Sequence, residues 1–216
     1  MKDYYGPFEE GYFYHVYNRG NNGDNLFYQA KNYTYFLQKY DLYLSDYIET
    51  YAYCLLPNHF HLLVRVKTKE EIARDSDSST KADGQSDGIA EKNVDNGKKV
   101  SEQFRRFFIG YSQAIQKQEN RTGSLFQKNF KRIKVESDAY FSWLVYYIHA
   151  NPQTHGITDD FQDYPHSSFG RMMNPKPTKL QKSYVLSWYG SMERYQQFHQ
   201  QVQDFTVIND LIIEDD

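Results

Sequence analysis

Two imidazoles, His59 and His61, stand two residues apart in Pro57-Asn58-His59-Phe60-His61-Leu62-Leu63-Val64. The run is otherwise apolar and reads as a buried strand. Alternate side chains of a strand share a face, so the two histidines project together while Phe60, Leu62 and Val64 point to the opposite side. Two imidazoles on one sheet face make a poor hydrophobic surface and a good pair of ligands for one divalent metal ion. Two ligands leave such an ion under-coordinated, so the pair asks for a third. The ordinary alternative is a pair of hydrogen-bonded histidines, which a chain with seven histidines produces by chance. Spacing leaves both readings open.

Tyr147 and Asn151 lie four apart near the end of a predicted helix, hence one turn apart on one face. The Asn151 carbonyl is an oxygen ligand suited to Mg²⁺ or Mn²⁺, and Tyr147 is a hydroxyl nucleophile beside it. Against this, Tyr147 can pack into a core, Asn151 can close the helix before Pro152, and Tyr146 competes for the nucleophile's role. Among the remaining histidines, His149 points elsewhere on the helix, and His15, His155, His166 and His199 lack a partner motif, so all five read as structural.

The elements that must position these groups follow from pattern. A strand is predicted at about 11–18, then a break at Arg19-Gly20-Asn21-Asn22-Gly23-Asp24. Apolar residues at helical spacing mark a helix over 31–47. Two strands, 48–56 and 59–66, meet at Pro57-Asn58 as a tight hairpin. Ser101 is placed to cap a helix running to about Gln118, with Phe104, Phe107, Phe108, Tyr111 and Ile115 on its apolar side. A strand at 130–135 follows, then a helix from Ala139 to about Ala150, capped by Ser137 or Asp138 and stopped by Asn151-Pro152. Short helices are expected within 183–203. The order is ferredoxin-like βαββαβ, an α+β sandwich of one antiparallel sheet backed by helices, with an added C-terminal helix carrying Tyr147 and a helical extension. Residues 1–170 read as the main domain, 67–100 as a flexible polar surface insertion, and 171–216 as the extension with an acidic tail.

The chain of 216 residues is 39% hydrophobic and 18% aromatic, with 21 Tyr and 15 Phe, enough rings to build a core and still leave stacking faces. The single cysteine, Cys54, excludes an internal disulfide and a cysteine-rich zinc framework. No apolar run is long enough to span a bilayer, and the N-terminus lacks an apolar signal region, so a cytoplasmic protein is expected. The net charge of −3 counts against a nucleic-acid binder. Its distribution weakens that objection, because Arg105, Arg106, Lys117, Arg121, Lys128, Lys131 and Arg132 crowd one stretch in which Glu119 is the only acid. Local field outweighs the sum for steering a phosphate backbone. As a group these cations predict a surface for single-stranded or hairpin DNA, with Phe126 or Phe130 for stacking. Taken singly, each is equally a solvated charge.

Three segments together resemble the IS200-like single-tyrosine transposases, and within them the branch associated with repetitive extragenic palindromes. They are Leu56-Pro57-Asn58-His59-Phe60-His61-Leu62-Leu63-Val64, Gly123-Ser124-Leu125-Phe126-Gln127 and Tyr147-Ile148-His149-Ala150-Asn151-Pro152. His15-Val16-Tyr17-Asn18-Arg19-Gly20-Asn21-Asn22 also looks like that family's first strand and turn. The resemblance covers about 11–66 and 101–170. It implies His59 and His61 as paired metal ligands, Tyr147 rather than Tyr146 as nucleophile, and Asn151 as third ligand where some relatives carry glutamine. It further implies a metal-dependent single-stranded DNA transposase that nicks and rejoins hairpin-flanked DNA through a 5′-phosphotyrosyl link, acting as a monomer or a homodimer. The competing expectations are a hairpin-binding module that does not cut and a phosphodiesterase using water. The polar insertion, the acidic tail and the modest charge depart from the family and bear on DNA specificity.

Overall fold

The computed structural model describes residues 4–80, 95–136 and 140–201. Four strands form one antiparallel sheet: β1 (Phe13–Arg19), β2 (Ile48–Leu56), β3 (His59–Val66) and β4 (Lys131–Val135), in the spatial order β2-β3-β1-β4. This is the ferredoxin-like arrangement expected from the element order, with the β2–β3 hairpin turning at Pro57-Asn58. Seven helices accompany the strands among the described residues: α1 (Ala30–Leu44), α2 (Lys69–Thr80), α3 (Asn96–Gln118), α4 (Phe141–Thr154), α5 (Phe169–Met173), α6 (Lys182–Tyr189) and α7 (Met192–Gln200).

Both faces of the sheet are covered, so its strands read as apolar runs rather than clean alternations. On one face Val16, Phe60, Leu62 and Val64 join Phe36 of α1 and Phe104, Phe107 and Tyr111 of α3 in an aromatic core. On the other, Tyr17, Ala52, Cys54 and Leu63 meet Leu144, Val145, Tyr147 and Ile148 of α4, backed by Val185, Tyr189 and Tyr195 of α6 and α7. The C-terminal helices therefore share a core with the helix that carries Tyr147. The same region also covers the edge of β2: Leu55 N–H donates to His166 O at 3.0 Å, Ser168 N–H to Tyr53 O at 2.8 Å and Gln181 N–H to Thr50 O at 2.9 Å. An exposed edge strand is a template for unwanted pairing, and these bonds close it.

Several local expectations are corrected. Helix α3 starts at Asn96 rather than after Ser101, because Asp95 accepts from Gly97 N–H and caps it earlier; Ser101 Oγ bonds the Gly97 carbonyl from inside the helix. The segment 67–100 holds α2 and the first turn of α3, with Glu71 of α2 bonded to Arg65 of β3. Residues 81–94, the proposed caps Ser137 and Asp138, and the acidic tail beyond Gln201 lie outside the described residues. Pro152 does not stop α4, which runs to Thr154. Proline removes only its own N–H, and in a last turn the chain closes around that loss: His155 N–H reaches Asn151 O and Ile157 N–H reaches Pro152 O. The expected boundary at 170/171 falls within α5.

Candidate active site

Strand pairing assembles the histidines. In the β1–β3 register Arg19 stands opposite His59, Tyr17 opposite His61 and His15 opposite Leu63, while Tyr17 also faces Lys131 of β4. Directly paired residues share a face, so His15, Tyr17, Arg19, His59, His61 and Lys131 all look toward α4. Gly20 permits the turn that follows β1. A Cβ there would overlap the Asp24 carbonyl, and Gly20 N–H instead bonds Asn58 O at 2.7 Å, drawing the turn against the hairpin that carries His59. The Gly123–Gln127 motif extends this end of the sheet: Asn21 N–H donates to Leu125 O and Gln127 N–H to Arg19 O.

Helix α4 supplies the rest from the same chain. The Tyr147 ring stands edge-on to both imidazoles beneath it, with centroids 5.7 Å from His61 and 5.9 Å from His15. Tyr146 turns the other way, against Phe161, Phe198 and His199. Helix rotation thus turns Tyr147 toward the histidines and Tyr146 away from them. Asn151, one turn on, lies beside His59 and donates its Nδ2 to the Tyr147 carbonyl at 3.0 Å. His155, a further turn on and exposed, sets its ring edge-on to His59 at 4.8 Å. Tyr147, Asn151 and His155 form one line at i, i+4 and i+8.

The hydrogen bonds are informative for what they leave over. His59 Nδ1 meets Asn58 Oδ1 at 2.7 Å, and His61 Nδ1 meets His15 Nε2 at 3.0 Å. Two buried atoms here that could ligate a cation have no hydrogen-bond partner among the described residues: His61 Nε2 and Asn151 Oδ1. Unpartnered buried polar atoms are rare and each needs a cause, an absent ion among them. Burial holds both histidines neutral: His59 is pushed down to about 3 by desolvation and then by the neighbouring His155 and Arg19, with Asn151 partly opposing. His61 is driven well below the ordinary histidine range by burial and its histidine neighbours. Neutral imidazoles keep the lone pairs that a metal requires. No group of three or more His, Cys, Asp or Glu side chains among the described residues is placed to hold a metal ion. Were an ion held here, a third protein donor would be of another type, and the Asn151 carboxamide, beside His59, carries a buried oxygen without a hydrogen-bond partner.

The basic residues do not share one face. Arg105, Arg106 and Lys117 sit on the exposed side of α3, across the sheet from the histidines, and both arginines are tied to Glu102. Arg121 pairs with Asp24 at 2.8 Å, and Lys128 is exposed in the loop before β4. Arg132 bonds the carbonyls of Gly6 and Tyr5 and lies over Phe8 and Phe130. Only Lys131 of this set is on the histidine face, with its ammonium 5.9 Å from the Tyr17 ring centre. By sequence pattern alone His15 and His155 read as structural and Arg19 carries no role. Strand parity read together with antiparallel register is the signal that could have placed His15 and Arg19 beside His59 and His61.

No family model matches the chain. A Haemophilus influenzae protein named as a REP-associated tyrosine transposase is 26% identical over 145 residues, 60% of this chain and 72% of that protein. A solved REP-associated tyrosine transposase, bound to a REP hairpin, superposes with a TM-score of 0.53 at 17% identity, covering 80% of this chain and 86% of the other. The chain resembles the REP-associated tyrosine transposases in sequence and has their fold. The expectation drawn from its motifs is borne out at that level, as is the α+β architecture with a helical C-terminal region. No described helix is long and apolar enough to cross a membrane.

Proposed function

We propose that this protein is a metal-dependent transposase that cleaves and rejoins single-stranded DNA beside a hairpin, with Tyr147 as nucleophile. The observation that carries the reading is the meeting of the Tyr147 ring with His61 in a single chain, next to two ligand-type atoms left without partners. The likeness to a protein named as a REP-associated tyrosine transposase, and to one solved with a REP hairpin, supports the substrate class.

His59 Nε2, His61 Nε2 and Asn151 Oδ1 would hold Mg²⁺ or Mn²⁺, Asn151 favouring these oxygen-seeking ions. When bound, the ion neutralises charge on the scissile phosphate's non-bridging oxygens. Tyr147 Oη attacks phosphorus, the bond from phosphorus to the 3′-oxygen breaks, and the phenolic proton is released as that oxygen leaves as a hydroxyl. The product is a 5′-phosphotyrosyl link and a free 3′-hydroxyl. A phenol with a pKa near ~10 is a better leaving group than an aliphatic alcohol, so a 3′-hydroxyl can reverse the step and join strands without external energy. Arg19 and Lys131, both on the histidine face, supply positive charge where the phosphate enters. One copy carries the full set, so no second subunit is needed to complete it.

One observation favours a second reading. Tyr147 and His61 are only 3% and 1% exposed, so a phosphate reaches them only after the site opens. A hairpin-binding module that does not cut needs no such opening. The two are separated by incubating the protein with single-stranded hairpin oligonucleotides and Mn²⁺. A denaturation-resistant adduct that vanishes in Tyr147→Phe supports the transposase. Binding without cleavage supports the module, and cleavage without adduct supports a hydrolase using water.

A further inference from the structure

We infer that His15 is a positioning residue for the metal site: its Nε2 accepts a hydrogen bond from His61 Nδ1–H and so leaves the His61 Nε2 lone pair free for an ion. This rests on the metal-dependent reading above. An imidazole side chain free in water prefers to carry its proton on Nε2, the tautomer that cannot ligate through Nε2. To ligate there, His61 must move that proton to Nδ1, and a buried ring does so only if Nδ1 finds an acceptor. His15 Nε2 stands 3.0 Å from His61 Nδ1 and is fully buried with it.

The pattern at His59 is the same with a different partner. Its Nδ1 lies 2.7 Å from Asn58 Oδ1, an atom that only accepts, so His59 too carries its proton on Nδ1 and presents Nε2. Both candidate ligands are thereby set in one tautomer by neighbours that a metal would not touch. If the proton instead sat on His61 Nε2, that N–H would be a buried donor with nothing to bond, a costlier arrangement than a bare lone pair awaiting an ion. Groups that hold a ligating histidine by its second nitrogen fix ring orientation and raise its basicity, and losing one typically weakens metal binding by about 10–100-fold. His15 reaches this place because β1 pairs with β3 and its odd-numbered residues face α4.

Two measurements test this. In metal-free wild-type protein, nitrogen-15 NMR of the imidazoles is expected to find His61 protonated on Nδ1; protonation on Nε2 would overturn the inference. Mn²⁺ titration followed by calorimetry is then expected to give affinity roughly 10–100-fold lower for His15→Leu, and recovery of most of that loss for His15→Gln, whose side-chain oxygen can accept the same proton. A purely structural role would lower the melting temperature of both variants and leave the affinity of the folded fraction unchanged. If His15→Leu folds and binds Mn²⁺ like wild type, the inference fails. If wild type itself binds neither Mn²⁺ nor Mg²⁺, the metal-dependent reading fails instead, and the NMR result still decides the tautomer.

Discussion

Two buried histidine clusters lie on the same side of the sheet and differ in one respect. At the β1–β3 site, His61 keeps one nitrogen without a partner and Asn151 one oxygen. Behind α4, His149 and His199 use every nitrogen: His149 Nε2 meets Ser168 Oγ at 2.7 Å, His149 Nδ1 meets His199 Nε2 at 3.1 Å, and His199 Nδ1 bonds the Tyr195 carbonyl at 2.8 Å. Ser168 Oγ in turn accepts from Tyr53 N–H of β2. Residue type and burial are alike, so neither separates a ligand from a fastener. Counting hydrogen bonds does. A saturated network stabilises the fold and locks α4 to the C-terminal helices, whereas an unsaturated one keeps capacity for something else to bind.

The largest effect is expected at Tyr147. Tyr147→Phe keeps the ring in its core and is expected to lower strand cleavage by at least roughly 1,000-fold, as loss of a nucleophile does, with the melting temperature little changed. A Phe variant that still forms the covalent adduct would remove the nucleophile from this cluster.

Next in size, the two clusters are expected to respond oppositely to the same substitution. His149→Leu strands Ser168 and His199 and should cost about 2–4 kcal/mol in chemical denaturation, with Mn²⁺ affinity unchanged in the folded protein. His61→Leu removes one unpartnered nitrogen and breaks the single bond from His61 Nδ1 to His15 Nε2, so it should cost about 1–2 kcal/mol, less than His149→Leu, while abolishing Mn²⁺ binding. Equal stability losses would erase the distinction.

Acid gives a third comparison. Burial pushes His199 down to about 4 and His149 well below the ordinary range, so the unfolded chain binds more protons than the folded one below the ordinary histidine value of 6.5. The stability these groups contribute is therefore fully present above about pH 6.5 and is lost as pH falls toward 4, by up to about 1.4 kcal/mol per pH unit for each group. The site histidines add to this in the same direction. Mn²⁺ holds the site histidines unprotonated in the folded state, as burial already does, so saturating metal is expected to raise the midpoint without changing this slope, whereas the acid limb should become shallower in His199→Gln. Denaturation midpoints between pH 5 and 7 with and without Mn²⁺ check both.

The smallest effects belong to the surface. Arg105→Ala, already paired to Glu102, should leave hairpin affinity nearly unchanged, whereas Lys131→Ala should weaken it and lower the slope of log affinity against log salt by about 1. Identical slopes would place the DNA path across α3 instead.

Local pattern made a large part of the fold legible. The β2 and β3 bounds and their hairpin follow from apolar runs meeting at Pro57-Asn58, and α1 and α3 from ring spacing. The misplaced start of α3 has a specific cause: an Asp cap at Asp95 lay within a polar stretch read as loop. The run of α4 through Pro152 was missed because proline's lost bond matters less in a helix's last turn. For the candidate site, period two put His59 and His61 on one face, and spacing put Asn151 on Tyr147's face, but nothing local aimed that face at the sheet. His15 and Arg19 were out of reach for the same reason: they are 40 or more positions from the histidines they adjoin.

Residue order alone therefore determined which side chains share a strand or helix face, because backbone geometry repeats every two or 3.6 residues regardless of context. Tertiary structure decided which faces meet, which of two adjacent tyrosines turns inward, and which buried polar atoms go without partners. Those outcomes depend on register and packing between segments far apart in the chain, where no local periodicity reaches.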